Sequence, residues 1–414
     1  MPSVRPLPLW AGRTAALLGI VLVALNLRTV VAALSPILNL VERDIPLSPV
    51  VIGIVGAAPP LMFALAGLIT PRLSRGLGLE GLLLIAVGAM VVGQLLRALS
   101  PSAPVLVLST ALALLGAGVG NVLLPPLVKR YFSDRMTQVT SLYAVVIAFS
   151  TSLPALAAVP VATAFGWRAS LGVWFALALT ALLPWAIATR ARARALRLAR
   201  AAADGIEVEG EPALESTLFR SPVAWAIMII FCVSSINVYA AFAWLPSLLV
   251  DTAKVTPAGA GQLLALYAII GFPSALLVPV IASRLKNVGI LIYFSAAALL
   301  ASYAGLLFAP ATATALWIVL GGLGVLLFPL ALLLINSRTR THSGSVALSG
   351  FVQGVGYIIA AASPLAFGLL HQATGAWSLS IIVIAIASLA VLPAAIILTT
   401  HRYLEDDLAV RARV

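Results

Sequence analysis

Residues 26–38 read NLRTVVAALSPIL and residues 237–249 read NVYAAFAWLPSLL. Both open on asparagine, continue through small and branched apolar side chains, and close on a proline flanked by leucines, with Pro36 aligned to Pro246 after one gap. Each stretch belongs to an apolar run near the roughly 20 residues that an α-helix needs to cross a bilayer. The correspondence extends outward in chain order. RLSRGLG at 72–78 matches RLKNVG at 284–289, and Gly120 precedes Pro125 by the same interval as Gly324 precedes Pro329. SLYAVV and GWRASL, at 141–146 and 166–171, echo SGFVQG and GAWSLS at 349–354 and 375–380. Four matches in one order indicate a duplicated unit whose copies pair about an axis along the membrane normal.

The composition places both copies in lipid. Of 414 residues, 62% are hydrophobic and 9% charged, against roughly 45–50% and about 25% in globular domains. Runs such as VLVLSTALALLGAGVGNVLL (105–124) and AVVIAFSTSLPALAAVPVATAF (144–165) recur along the chain. Breaks between them predict twelve spans, starting near residues 14, 50, 79, 104, 137, 169, 222, 258, 288, 313, 343 and 377. The first run, Thr14 to Leu40, is too long for a signal-peptide core and lacks a small-residue cleavage site, so it reads as a retained span. The expected fold is all-α, with twelve transmembrane helices in two pseudo-symmetric six-helix bundles. The expected division is a bundle over 1–189, a cytosolic linker over 190–221, a bundle over 222–400 and a cytosolic tail over 401–414.

A net charge of +12 would suit a nucleic-acid surface only if the basic residues clustered on a soluble face. Here they punctuate apolar segments, so no nucleic-acid partner is expected. Sorting them by loop places both termini and the linker on one side. Only Arg43, Arg97, Arg168 and Lys254 fall on the other, and Arg28 lies inside a span. Basic residues resist translocation, so the rich side is cytoplasmic, the pattern of a multi-pass protein of a bacterial inner membrane. The single cysteine, Cys232, excludes an intrachain disulfide or a cysteine metal cluster.

These features resemble the major facilitator superfamily over nearly the whole chain. In its loop between helices 2 and 3, Gly67, Arg72 and Arg75 match, while Pro71 and Ser74 replace the usual Asp and Gly. The gating loop with Arg72 and Arg75 therefore lacks the acid of the usual ionic latch. Within the superfamily, ALNLRTVVAALSPIL (24–38), GNVLLPPLVKRYF (120–132), Leu142-Tyr143 and AWLPSLL (243–249) are similar to the cyanate and 2-nitroimidazole transporters, with Ser133 and Ser141 replacing Pro and Gly. That resemblance implies bundles rocking around a central site lined by spans 1, 4, 7 and 10.

Arg28 is the outstanding candidate, since a charge in mid-bilayer costs roughly 2.5–3.5 kcal/mol on insertion scales. No carboxylate lies within a span to neutralise it. Glu42, Asp44 and Asp251 sit at outer ends, and Glu80 and Asp134 at inner ends. Either Arg28 faces a water-filled cavity and offers its planar fork to an anionic or electronegative substrate, or it bonds backbone carbonyls between bundles. Ser35 shares its helical face if the helix is regular, whereas Asn26 points away and is as readily a packing residue. On span 7, Asn237 and Trp244 share a face, with Tyr239 nearby. Trp244 is either a stacking platform or an interfacial anchor. Asn121 on span 4 bonds either substrate or a neighbouring helix, and Tyr143, Gln353 and Tyr357 are candidate gates.

Enzyme motifs are absent. His342, His371 and His401 lie at span ends or in the tail, without paired acids or cysteines, and no Walker loop occurs. No cofactor or metal is expected. The reading is a monomeric secondary carrier for a small planar anionic or polar solute such as cyanate, a carboxylate or a nitroimidazole. A drug or metabolite exporter of the same fold and a non-transporting receptor or scaffold are the alternatives. Lacking intramembrane acids, it would work as a uniporter, an exchanger, or a symporter whose proton rides on the substrate.

Overall fold

A segment crossing hydrocarbon finds no water for its amides, so its backbone must bond internally. In the computed structural model each apolar run accordingly closes into helix. The structure describes residues 13–202, 218–400 and 402–411. Arg5, His401 and the acidic half of the expected linker lie outside these.

The helices are α1 (Thr14–Ala32), α2 (49–77), α3 (79–98), α4 (Ala103–Tyr131), α5 (Met136–Phe165) and α6 (Trp167–Ala202). Then follow α7 (Pro222–Ala253), α8 (257–284), α9 (Gly289–Phe308), α10 (Thr314–Ser337), α11 (His342–Thr374) and α12 (Ser378–Thr399), and a short tail helix, α13 (Leu404–Arg411). All twelve spans begin within two residues of the sequence expectation. Gly78 separates α2 from α3 by adopting φ 70° and ψ 166°, a backbone conformation that only glycine reaches at low cost. Prolines start several helices from their first turn, where the missing N–H costs nothing, as at Pro49, Pro222 and Pro257.

Duplication is visible in the hydrogen bonds. Asn26 donates to Leu22 O at 2.8 Å and to Leu177 O on α6 at 3.4 Å. Asn237 donates to Val233 O at 2.7 Å and to Ser388 Oγ on α12 at 3.2 Å, and both asparagines reach across 151 residues. The Trp167 indole donates to Asp44 Oδ2 and the Trp377 indole to Asp251 Oδ2, each at 2.8 Å. Ser170 and Ser380 donate to Ala158 O and Phe367 O at 2.8 and 2.9 Å. One backbone plan thus serves α1–α6 and α7–α12, which form the two bundles.

The copies are not identical. α7 runs unbroken through Pro246, but α1 ends at Ala32 and passes through a 3₁₀ turn at Ser35–Ile37. The shared-face expectation for Ser35 assumes a helix that α1 does not continue to that position, and the Ser35 side chain lies outside the described residues.

Arg97 lies in the last turn of α3. It is fully buried, with Nη1 donating to Val30 O at 2.9 Å and Nη2 to Gln94 Oε1 at 3.4 Å. The first of these bonds joins α3 to α1 within the first bundle.

On the α1–α2 loop, Asp44 accepts from Trp167 and, at 2.8 Å, from Arg168. These bonds, that of Trp167 first, hold its carboxyl below the ordinary 3.8. A depressed carboxyl stabilises the fold above the unfolded-state value, and that contribution disappears as pH falls through the lower folded-state value. Melting temperatures between about pH 5 and 2 should therefore fall more steeply in the wild type than in Asp44→Asn. Parallel curves would show that this corner contributes no pH-dependent stability.

Candidate functional site between the bundles

Arg28 projects from α1 into a ring assembled by both bundles. Its guanidinium carbon lies 5.5 Å from the Phe63 ring centre on α2 and 5.9 Å from that of Phe328 on α10. Tyr357 on α11 and Tyr239 on α7 are its polar neighbours. Tyr357 stands edge-on to Phe63 at 5.4 Å and to Phe231 at 5.0 Å, and Tyr239 adds a further edge at 6.4 Å. Among the described residues no carboxylate pairs with Arg28. Its side chain is half-buried, unlike that of Arg97. The surrounding ring faces attract the cation at roughly 0.5–2 kcal/mol each, yet leave its in-plane donors unfilled by any counter-charge.

Toward the linker side of this ring, Asn121 on α4 donates to Gln353 Oε1 at 2.6 Å and to the Tyr357 hydroxyl at 3.4 Å. Gln353 Nε2 donates to Ser349 Oγ at 2.9 Å, and Ser349 Oγ to Val122 O at 2.8 Å. Helices α4 and α11 are thereby joined across the interface by side chains 232 positions apart. Asn121 and Gln353 sit where they close the base of the ring.

Nearer the linker the bundles touch through backbone. A Cβ at Gly67 would collide with the Gly354 backbone, and one at Gly354 would come within 3.2 Å of the Gly67 carbonyl carbon. Pro71, standing where the superfamily's acid is usual, abuts Gly350. Beyond this, Lys129 on α4 donates across the interface to Asn336 O at 3.2 Å, to Thr339 Oγ1 at 2.7 Å and to Thr339 O. A cation placed on the closing carbonyls of α10 also complements the negative end of that helix. Contact here includes close backbone packing and cation-to-carbonyl bonds. The buried acid Glu80 accepts from Tyr131 at 2.8 Å and Arg130 at 3.4 Å within the first bundle. Arg72 and Arg75 are exposed at the same end.

The remaining candidates lie elsewhere. Asn26 and Asn237 face their own bundles, the latter also accepting from Tyr303. Trp244 donates to Pro364 O at 2.7 Å and its ring lies 5.8 Å from Trp377, which makes it part of the α7–α11 contact. Tyr143 is buried in the apolar core. Sequence reasoning brought out Arg28, Tyr239, Tyr357, Asn121 and Gln353 but missed Phe63, Phe328 and Lys129. An aromatic residue inside an apolar run has no signature of its own. The one available cue was that Phe328 precedes Pro329 at the repeat-matched position. Among the described residues no cluster of His, Cys, Asp or Glu could hold a metal.

Residues 16–361 match the model of the Major Facilitator Superfamily. The chain belongs to the major facilitator superfamily. It is 31% identical to the uncharacterised transporter YycB of Bacillus subtilis (strain 168), over 91% of each chain. It is also 31% identical to the 2-nitroimidazole transporter of Escherichia coli (strain K12), over 90% of this chain and 92% of that one. The cyanate transport protein CynX of the same organism is 28% identical over 87% and 90%. Among solved structures, FucP in its outward conformation superposes with TM-score 0.69 at 13% identity, covering 92% of this chain and 98% of that one. The proton:xylose symporter XylE gives 0.69 at 13%, covering 97% and 99%. Within the superfamily this chain is a multi-pass membrane transporter and not an enzyme.

Proposed function

We propose that the protein is a secondary carrier for a small planar solute, anionic or strongly electronegative, moved by alternating access with Arg28 as its principal charge contact. The supporting observation is a half-buried guanidinium between the bundles, ringed by Phe63, Phe328, Tyr239 and Tyr357 and lacking a carboxylate. A planar guest suits both parts of that ring. Its electronegative edge accepts from the guanidinium fork, and its faces lie against aromatic walls. Cyanate and 2-nitroimidazole, named for two relatives, share that chemistry. In this reading the units over 1–189 and 222–400 rock about the site, joined by the linker at 190–221. The bonds of Lys129 and Asn121 part when the linker side opens. The protein is a monomer in a bacterial inner membrane, with both termini and the 401–414 tail cytoplasmic.

Among the described residues no acid pairs with Arg28, which argues against obligatory proton coupling through the protein. Proteoliposomes holding the purified protein should take up small anions, cyanate among the probes, when internal and external pH are equal. Lipophilic cations should neither enter nor compete. Uptake of a permanently charged anion that demands a pH gradient would overturn this reading, as would preferential binding of lipophilic cations.

A further inference from the structure

The two copies differ at one corner in a way that exposes a site. In the first bundle, Arg168 follows Trp167, and its guanidinium lies 4.2 Å from the indole ring centre. It donates to Asp44 at 2.8 Å and to Ser100 O at 3.4 Å. That aspartate thus has two donors, the indole and the arginine. In the second bundle the indole of Trp377 bonds Asp251 in the same way, but the next residue is Ser378. Among the described residues Asp251 has no ion-pair partner.

A cavity of about 460 Å³ opens there, on the face opposite the linker. Its walls include Asp251, Trp377, Ser378 and Pro310, the counterparts of Asp44, Trp167, Arg168 and Ser100. The space is therefore bounded by the repeat-mates of the groups that Arg168 touches. His371 forms another wall, its ring stacked on Trp377 at 3.6 Å and 8°, with Nδ1 buried and unpartnered. Lys254 is the remaining charged group at the rim.

We infer that this cavity is a binding site for a small organic cation bearing a guanidinium or primary ammonium group. The guest takes the position that Arg168 fills in the first bundle. Its N–H groups donate to the free lone pairs of Asp251, as Arg168 does to Asp44, and its flat side rests against the Trp377–His371 stack. The site is separate from the Arg28 ring: both use α7 and α11, but none of the ring residues lines this cavity.

Methylguanidinium and methylurea have nearly the same shape and differ in charge, so they separate ion recognition from shape. Calorimetry and thermal melting of the full-length protein in detergent should detect methylguanidinium and not methylurea. Asp251→Asn keeps an acceptor for the Trp377 indole but removes the charge, and should weaken binding by roughly tenfold or more. Ser378→Arg supplies the missing side chain. It should raise the melting temperature without any probe and abolish the methylguanidinium response. Equal responses to both probes, no response in the wild type, or binding unchanged in both variants would overturn the assignment.

Discussion

Replacing Arg28 with alanine is expected to weaken binding of small anions by roughly 30- to 1,000-fold, the equivalent of about 2–4 kcal/mol for a truncated charged donor. The fold should survive this change. Among the described residues Arg28 has no carboxylate that its removal would strand, and what is lost locally is its contact with Phe63, Phe328, Tyr239 and Tyr357. Arg28→Lys keeps the charge but loses the planar fork and the ring contacts, so recovery to within only about tenfold of the wild type is expected. Arg97→Ala is the informative comparison. That guanidinium is fully buried on Val30 O and Gln94, so its loss should lower the melting temperature while preserving the order of ligand preference. Calorimetric titration of the three variants with cyanate or a small carboxylate makes the comparison. A folded Arg28→Ala protein that binds every anion as the wild type does would remove Arg28 from the site.

Gly67→Val should abolish transport by a different route. The added side chain meets the backbone of Gly354 and Gly350, and backbone on two packed helices cannot yield as a flexible side chain does. Overpacking of this kind costs about 1–3 kcal/mol. Here the cost falls only on the state in which α2 and α11 touch. A bias of that size shifts the balance between open and closed linker-side states by roughly 5- to 150-fold. A reporter cysteine at Ser349→Cys, beside the Asn121–Gln353 bond, should react correspondingly faster with a linker-side thiol reagent. Native Cys232 is buried, which keeps the background low. Uptake should fall to background while the protein stays folded. Unchanged labelling and uptake would mean that the close approach of Gly67 and Gly354 is not part of the transport cycle.

Much of this architecture was legible before any coordinates. The twelve spans, the duplication and the isolated charge at Arg28 all follow from local demands, because each segment in lipid must be long enough, apolar enough and bonded within itself. The candidates divided once the helices met. Asn26, Asn237 and Trp244 carry the same chemistry as Asn121 and Gln353, yet the first three bond within their own bundles and the last two bond across the interface. Helical spacing tells which side chains share a face, not which neighbour that face meets. It also fails where the helix stops, as α1 does before Ser35.

Arg28 and Arg97 mark the boundary most clearly. By itself the sequence determined that a charge stands in span 1 without an acid in any span to answer it, because that inventory needs only composition and position. Tertiary structure alone decided that Arg97 closes on a carbonyl of α1 while Arg28 opens onto a ring drawn from four other helices. The reason is physical: the cost of burying a charge depends on one segment, whereas the groups that offset it are brought by segments far away in the chain.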